Sequence, residues 1–208
     1  MNISPRVPSL IVGVICLILP IRGFTSVIQV LGDRATTVAL PITVDLSAHY
    51  AFARFDTELG RIYVQLYKSK APLTVQNFLK YASDRDYDDT IIHRSIPGFV
   101  LQGGGYHVEG GGLAHIDVDA PVENEFGISN LRGTVAMAKV GGNPDSATSE
   151  WFFNLADNSA NLDAQNGGFT VFASVVGDGL ALVDQIAAIP THPINIAGSV
   201  FRDLPLED

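Results

Sequence analysis

Beyond Tyr50 the chain holds no hydrophobic period for long. Runs of four to seven residues, apolar or alternating, are cut by glycine, proline and aspartate, and only two stretches keep a helical spacing. Short runs bounded by turn residues read as strands. Residues 51–56 and 61–67 flank the turn Glu58-Leu59-Gly60. In the second run Ile62, Val64 and Leu66 share one face, so the pair predicts a hairpin. Further strands are expected over 90–95, 99–102, 134–139, 150–155 and 170–176. Helical spacing appears over 72–82, where Pro72 suits the first turn and Val75, Phe78, Leu79 and Ala82 recur on one side. Asp84 to Asp89 ends it. A second helix opens at Gly179, carries Leu180, Val183, Ile186 and Ala187, and stops at Pro190. From His192 the tail reads as loop and one closing strand. Many short strands with two separated helices suggest a β-barrel or sandwich whose open ends the helices cover. No βαβ alternation and no repeat of 20–50 residues is present.

Composition excludes more than it identifies. The 208 residues suit one domain, and 47% hydrophobic against 17% charged residues argues for a packed core. A net charge of −9 repels phosphate backbones, so nucleic acid is not an expected partner. The single cysteine, Cys16, allows no internal disulfide. It lies in the run Leu10 to Leu19, which follows Arg6 and ends at Pro20 and Arg22. A positive residue before about ten apolar ones fits a secretory signal peptide; a bilayer span needs roughly 20. Residues 1–32 therefore read as an export signal, with an uncleaved membrane anchor as the alternative. A lipoprotein site at Cys16 fits the preceding Gly13-Val14-Ile15 poorly. Residues 33–48 read as a linker or first strand, and residues 49–208 as the globular domain.

Several familiar chemistries lack their residues. The glycines at 103–105 and 110–112 invite a phosphate loop, but no helix and no GK[ST] follows, so a surface loop is expected. His49, His93, His107, His115 and His192 fall in no zinc pattern, and no G-x-S-x-G elbow occurs. No metal is expected.

One segment is far more specific. Residues 92–104 read I-H-R-S-I-P-G-F-V-L-Q-G-G, which closely resembles the cyclophilin signature F-H-R-V-I-P-G-F-x-x-Q-G-G. The resemblance extends over roughly residues 50–190. Residues 71–78 are similar to the family's first helix and residues 135–138 to its central strand. Ser146 to Asn154 resembles the S-x-x-x-Q-F-F-I strand, and residues 171–176 a later one. Asp157-Asn158-Ser159, Leu162-Asp163 and the tail from Ile189 to His192 resemble exported, periplasmic bacterial members most. The resemblance implies an eight-stranded antiparallel closed barrel capped by two helices. It further implies peptidyl-prolyl cis–trans isomerase activity on proline-containing polypeptides, no cofactor, and a monomer that meets a membrane only through an uncleaved N-terminus.

An X-Pro bond turns slowly because amide resonance must break, at a barrier of about 18–20 kcal/mol. A catalyst needs only to prefer the twisted amide, whose prolyl nitrogen gains lone-pair character. A permanently charged guanidinium suits that nitrogen; by resemblance it is Arg94, with Gln102 holding it. The apolar slot for the proline ring is assigned, by resemblance, to Phe99, Met137, Phe152, Leu162 and Phe169. Ala138 forms the groove floor and His93 packs beside the arginine. Strand alternation independently aims Glu150 and Phe152 to one side, Trp151 and Phe153 to the other. Four departures stand out. Glu150 replaces a usual glutamine; two readings stand side by side, a pairing with Arg94 that positions it or competes with substrate, and a tolerated, partly solvated substitution; Lys139 replaces a common asparagine. Phe169 stands near a position often occupied by histidine. Asn161 replaces an aromatic that contributes to cyclosporin binding, which predicts weak cyclosporin sensitivity. The alternative to an active enzyme is a module that holds proline segments with little turnover.

Overall fold

A computed structural model describes residues 11–15 (backbone only), 51–109, 112–196 and 199–206. In chain order the elements are β1 (Ile11–Ile15), β2 (Ala51–Thr57), β3 (Gly60–Leu66), α1 (Pro72–Asp84), β4 (Thr90–Ile91), β5 (Arg94–Ile96), β6 (Val100–Gly103), β7 (Tyr106–Glu109) and β8 (Gly112–His115). They continue with β9 (Thr134–Met137), β10 (Trp151–Asn154), α2 (Ser159–Leu162), β11 (Val171–Val176), α3 (Gly179–Ala187), β12 (Thr191–Ile196) and β13 (Ser199–Pro205).

The main sheet is curled, with strand order β5-β6-β10-β9-β11-β3-β2-β1-β4-β7-β8; β12 and β13 form a separate hairpin. Where the resemblance implies eight strands, the ladder holds eleven and ends at β5 and β8, which do not pair with each other among the described residues. The architecture is mainly β, as expected.

The predicted hairpin forms as β2–β3, with Thr57 opposite Gly60 across the turn. Its inward residues Ala53, Phe55, Ile62, Val64 and Leu66 are buried, because period-two alternation sends every second side chain into the curl. There they meet Val135 and Met137 of β9, and Trp151 and Phe153 of β10. The Phe55 ring lies 4.7 Å from Trp151 and 5.3 Å from Phe153, both edge-on. That geometry suits the ring quadrupoles. α1 covers one side of this core with Val75, Phe78 and Tyr81, and α3 another with Val183 and Ile186. α1 runs two residues beyond its expected end and stops at Arg85, whose left-handed φ of 69° turns the chain.

Several local expectations change. The stretch 90–95 divides into β4 and β5. The glycine-rich region expected as a surface loop instead forms the β7–β8 hairpin, and Gly103 to Gly105 are buried. The C-terminal tail forms two strands, not one, and α2 adds a single helical turn. Ile11–Ile15, inside the apolar run read as an export signal, pairs with both β2 and β4. The rest of that run, Cys16 and residues 33–48 lie outside the described residues.

Candidate functional site

Antiparallel registers place a row of residues on the outer face of the sheet. Arg94 opposes Gln102, Gln102 opposes Phe152, Phe152 opposes Ala136, and Ala136 opposes Val171. Directly opposed residues share a face, so the arginine, the amide and the aromatic ring line up across β5, β6 and β10. The turn Ile96-Pro97-Gly98-Phe99 creates this alignment. Phe99 N–H donates to the Ile96 carbonyl at 3.0 Å, and Gly98 has φ of 73°. A proline followed by a left-handed glycine is a type II turn. It folds β5 back on β6 and delivers Phe99 to the same face.

Beside the row lies an apolar cluster distinct from the interior core. Val100, Ala136, Phe152, Leu162 and Val171 are buried in it, with Phe99, Ala138 and Phe169 packed partly buried around them. The Phe152 and Phe169 rings stand edge-on at 5.9 Å. Five residues proposed for the groove, Phe99, Ala138, Phe152, Leu162 and Phe169, are thus brought together. Met137 is not. It is fully buried in the interior core with Trp151, because β9 turns Ala136 outward and Met137, its neighbour, inward. Its assignment to the proline slot is corrected accordingly.

A ladder of amides backs the pocket. Asn158 Nδ2 donates to the Phe99 carbonyl and to Asn154 Oδ1, both at 2.8 Å. Asn154 Nδ2 donates in turn to Asn130 Oδ1 at 3.2 Å and Thr134 Oγ1 at 2.9 Å. Asn130 Nδ2 reaches Asp163 Oδ1 at 2.9 Å and the Phe169 carbonyl at 3.0 Å. Phe99 and Phe169, on opposite walls, are tied to one buried network. Burial pushes the Asp163 carboxyl up, but hydrogen bonds from the Asn130 side chain and backbone outweigh it and hold the group below its ordinary range. Lys139 closes the rim. Its ammonium donates to the Gly168 and Asn166 carbonyls and to Asn124 Oδ1, and lies 4.9 Å from the Phe169 ring centre. Asn161 is exposed on α2 next to Leu162.

The other half of the site is charged. Arg94, 41% exposed, donates from Nη1 to Gln102 Oε1 at 3.3 Å, and its Nε lies 3.9 Å from Asp203 Oδ2 of β13. Gln102 Nε2 donates to Glu150 Oε2 at 2.6 Å. Glu150 therefore reaches Arg94 through Gln102, and no direct ion pair joins the two side chains. Its carboxylate also faces His93 Nε2 at 3.3 Å and His115 Nε2 at 3.5 Å. Burial pushes this carboxyl up, while the bond from His93, its charge, Gln102 and His115 pull it down, and the net pKa lies below the ordinary value. A Cβ on Gly105 would come within 2.7 Å of Glu150 Oε1, so the glycine that directly follows the signature leaves space for this carboxylate. His93 is buried, edge-on to Tyr106 at 5.0 Å. A cavity of about 290 Å³ opens here, lined by His93, Arg94, Tyr106, Glu150, Phe201 and Asp203.

Tyr106 and Asp203, which line the cavity with Arg94, and His115, which faces Glu150, were not foreseen at the site. Tyr106 is on β7 and His115 on β8, a pair joined at a glycine run that carries no strand pattern, and β13 approaches from the far end of the chain. Among the described residues no group of three or more His, Cys, Asp or Glu is arranged to hold a metal ion.

Residues 52–200 match the family described as cyclophilin type peptidyl-prolyl cis-trans isomerase. A peptidyl-prolyl cis-trans isomerase of Acinetobacter baylyi is 41% identical over 161 residues, covering 74% of this chain and 83% of that protein. Peptidyl-prolyl cis-trans isomerase B of Escherichia coli is 39% identical over 160 residues, covering 74% and 92%. The crystal structure of a cyclophilin type isomerase of Cryptosporidium parvum superposes with a TM-score of 0.57 at 21% identity, over 76% of this chain and 98% of that one. A second structure of it, obtained in the presence of the dipeptide Ala-Pro, gives a TM-score of 0.55 at 22% identity, over 74% and 98%.

Proposed function

Because this chain belongs to the cyclophilin-type peptidyl-prolyl cis–trans isomerase family, we propose that it rotates X-Pro bonds on the row Arg94–Gln102–Phe152 and serves the folding of exported polypeptides. The observation that carries the site assignment is that row itself: one cation, one amide and one apolar ring on a single face, bordered by the pocket of Phe99, Leu162 and Phe169.

The proline ring enters the apolar cluster, which removes it from water and fixes its plane. Phe152 forms the pocket floor and Phe99, Leu162 and Phe169 its walls. Ala138, with its single methyl, leaves room for the chain beyond the proline. Arg94 then meets the prolyl nitrogen as it pyramidalises. A charge-assisted hydrogen bond present only in the twisted state lowers the barrier without tightening either planar form. Removing a fixed donor of this kind costs about 10²–10³ in rate. Gln102 holds the guanidinium and contacts the substrate backbone. No group or electron is transferred, so the residues suffice without a cofactor.

Export to the periplasm is supported by the Arg6 and Leu10–Leu19 pattern. A monomer and a sheet closed into a barrel follow the family resemblance. A module that only holds proline segments is less well supported, since Glu150 hydrogen-bonds Gln102 and leaves Arg94 partly exposed to the groove.

The test is isomerase activity of the full chain on an Ala-Pro peptide. Activity that collapses in Arg94→Ala is expected. A parent that binds the peptide without turnover would support the binding module instead.

A further inference from the structure

We propose that Glu150 is a positioning residue for isomerisation: it fixes the side-chain amide of Gln102 so that its carbonyl oxygen, not its NH2 group, faces Arg94. This rests on the isomerase reading above and goes beyond it. The departure from glutamine at position 150 becomes a working part of the site.

The argument is one of donors and acceptors. A guanidinium only donates and an ionised carboxylate only accepts. Gln102 sits between the two, 3.3 Å from Arg94 Nη1 through Oε1 and 2.6 Å from Glu150 Oε2 through Nε2. Rotating the amide by half a turn would set NH2 against guanidinium and carbonyl against carboxylate, so both contacts would become repulsive. A glutamine at position 150 imposes no such choice, because it can present either its oxygen or its NH2. The carboxylate therefore selects one state of Gln102, and Gln102 passes the selection to Arg94.

Glu150 is itself held. Its backbone carbonyl accepts from Ala138 N–H at 2.9 Å, which anchors the start of β10 to β9. One carboxylate oxygen faces His93 and the other His115. Gly105 supplies the room, since a side chain there would displace the carboxylate. The anchor comes from four separate segments, and its two oxygens have different partners. Rotation of the carboxylate is opposed from both sides.

The experiment combines steady-state isomerisation of an Ala-Pro peptide with NMR of the Arg94 Nε–H and Gln102 side-chain amide signals, in the full chain. Glu150→Ala should lower kcat about tenfold with little change in KM, matching the loss of one charge-assisted hydrogen bond. Glu150→Gln should recover part of that rate. Gln102→Ala should be as slow as the double variant Gln102→Ala/Glu150→Ala, because Glu150 acts through Gln102. In the Glu150 variants the Gln102 amide signals should move toward those of a free glutamine. Unchanged kcat in Glu150→Ala, or losses that multiply in the double variant, would overturn the proposal. Should Glu150→Ala not fold, the isosteric Glu150→Gln decides: Gln102 and Arg94 signals that do not move overturn it. An inactive parent counts against the isomerase reading alone, because the NMR signals still report whether Glu150 orders the amide.

Discussion

On the pocket side of the groove, the backbones of Phe99 and Phe169 are pinned by buried amides, and Phe152 of the floor and Leu162 of the wall are each only 4% exposed. On the arginine side, a 41% exposed guanidinium is reached through one side-chain relay, Glu150 to Gln102 to Arg94. The first half is ordered by packing and by hydrogen bonds that survive a change in any surface charge. The second is ordered by a few contacts whose sense depends on which atoms donate and accept. Binding of the proline ring should therefore belong to the first half and turnover to the second. That division can be broken by measurement.

The largest effect is expected at Arg94. Arg94→Ala should reduce kcat/KM by about 10²–10³, almost wholly through kcat, and leave the unfolding free energy within about 0.5 kcal/mol of the parent, as for other surface sites. Arg94→Lys should recover little, since an ammonium does not reproduce the fixed fork of donors. A large rise in KM instead would show the arginine binding ground-state substrate and would blur the two halves. Phe152→Ala comes next. Truncating a buried ring should destabilise the fold by about 3 kcal/mol and raise KM for an Ala-Pro peptide, with kcat falling less. An unchanged KM, measured well below the unfolding midpoint, would remove the pocket from substrate binding. Smaller again is Asn154→Leu. It deprives Thr134 and the amides of Asn130 and Asn158 of partners, at about 1–3 kcal/mol. It should weaken binding by letting Phe99 shift, without touching kcat.

How much of this was legible in the sequence also divides along the groove. Alternation over 150–153 placed Phe152 outward and Trp151 inward, as the two separate apolar clusters bear out. Met137 was misplaced although the same alternation applies to it: β9 is buried on both faces, its one polar residue Thr134 included, so no exposed residue marks which way it points. The resemblance named a residue at the groove where the strand's phase puts its neighbour Ala136. The amide ladder draws on Asn130, Asn154 and Asn158, which lie apart along the chain, and nothing local tells a buried asparagine from an exposed one. Nor could the sequence bring His115 to Glu150 or Asp203 to Arg94, since those contacts depend on strands distant along the chain. Glu150 was legible as a departure but not as a mechanism, because its effect depends on Gln102 standing between it and the arginine.

Acid offers the mildest and most selective comparison of the two halves. The Asp163 carboxyl lies below its ordinary range in the folded chain, although burial works the other way, because Asn130 donates to it from side chain and backbone. An unfolded aspartate titrates near ~3.9. A depressed folded pKa means that the stabilisation is complete above that value and is lost as pH falls through the lower, folded one. Unfolding free energy should therefore be insensitive to Asp163 at neutral pH and should drop below about pH 4, while Asp163→Asn should show a shallower drop over the same range. Glu150 is depressed by the same sign, with His93 and Gln102 in place of Asn130. Its protonation converts a pure acceptor into a group that also donates, which frees the amide of Gln102 to turn. Activity measured on folded protein should then decline in acid in the parent and not in Glu150→Gln, whereas Asp163→Asn should leave that decline intact. If Asp163→Asn flattened the activity profile instead, the carboxylate behind the pocket would be governing turnover, and the two halves of the groove would have to be treated as one coupled network.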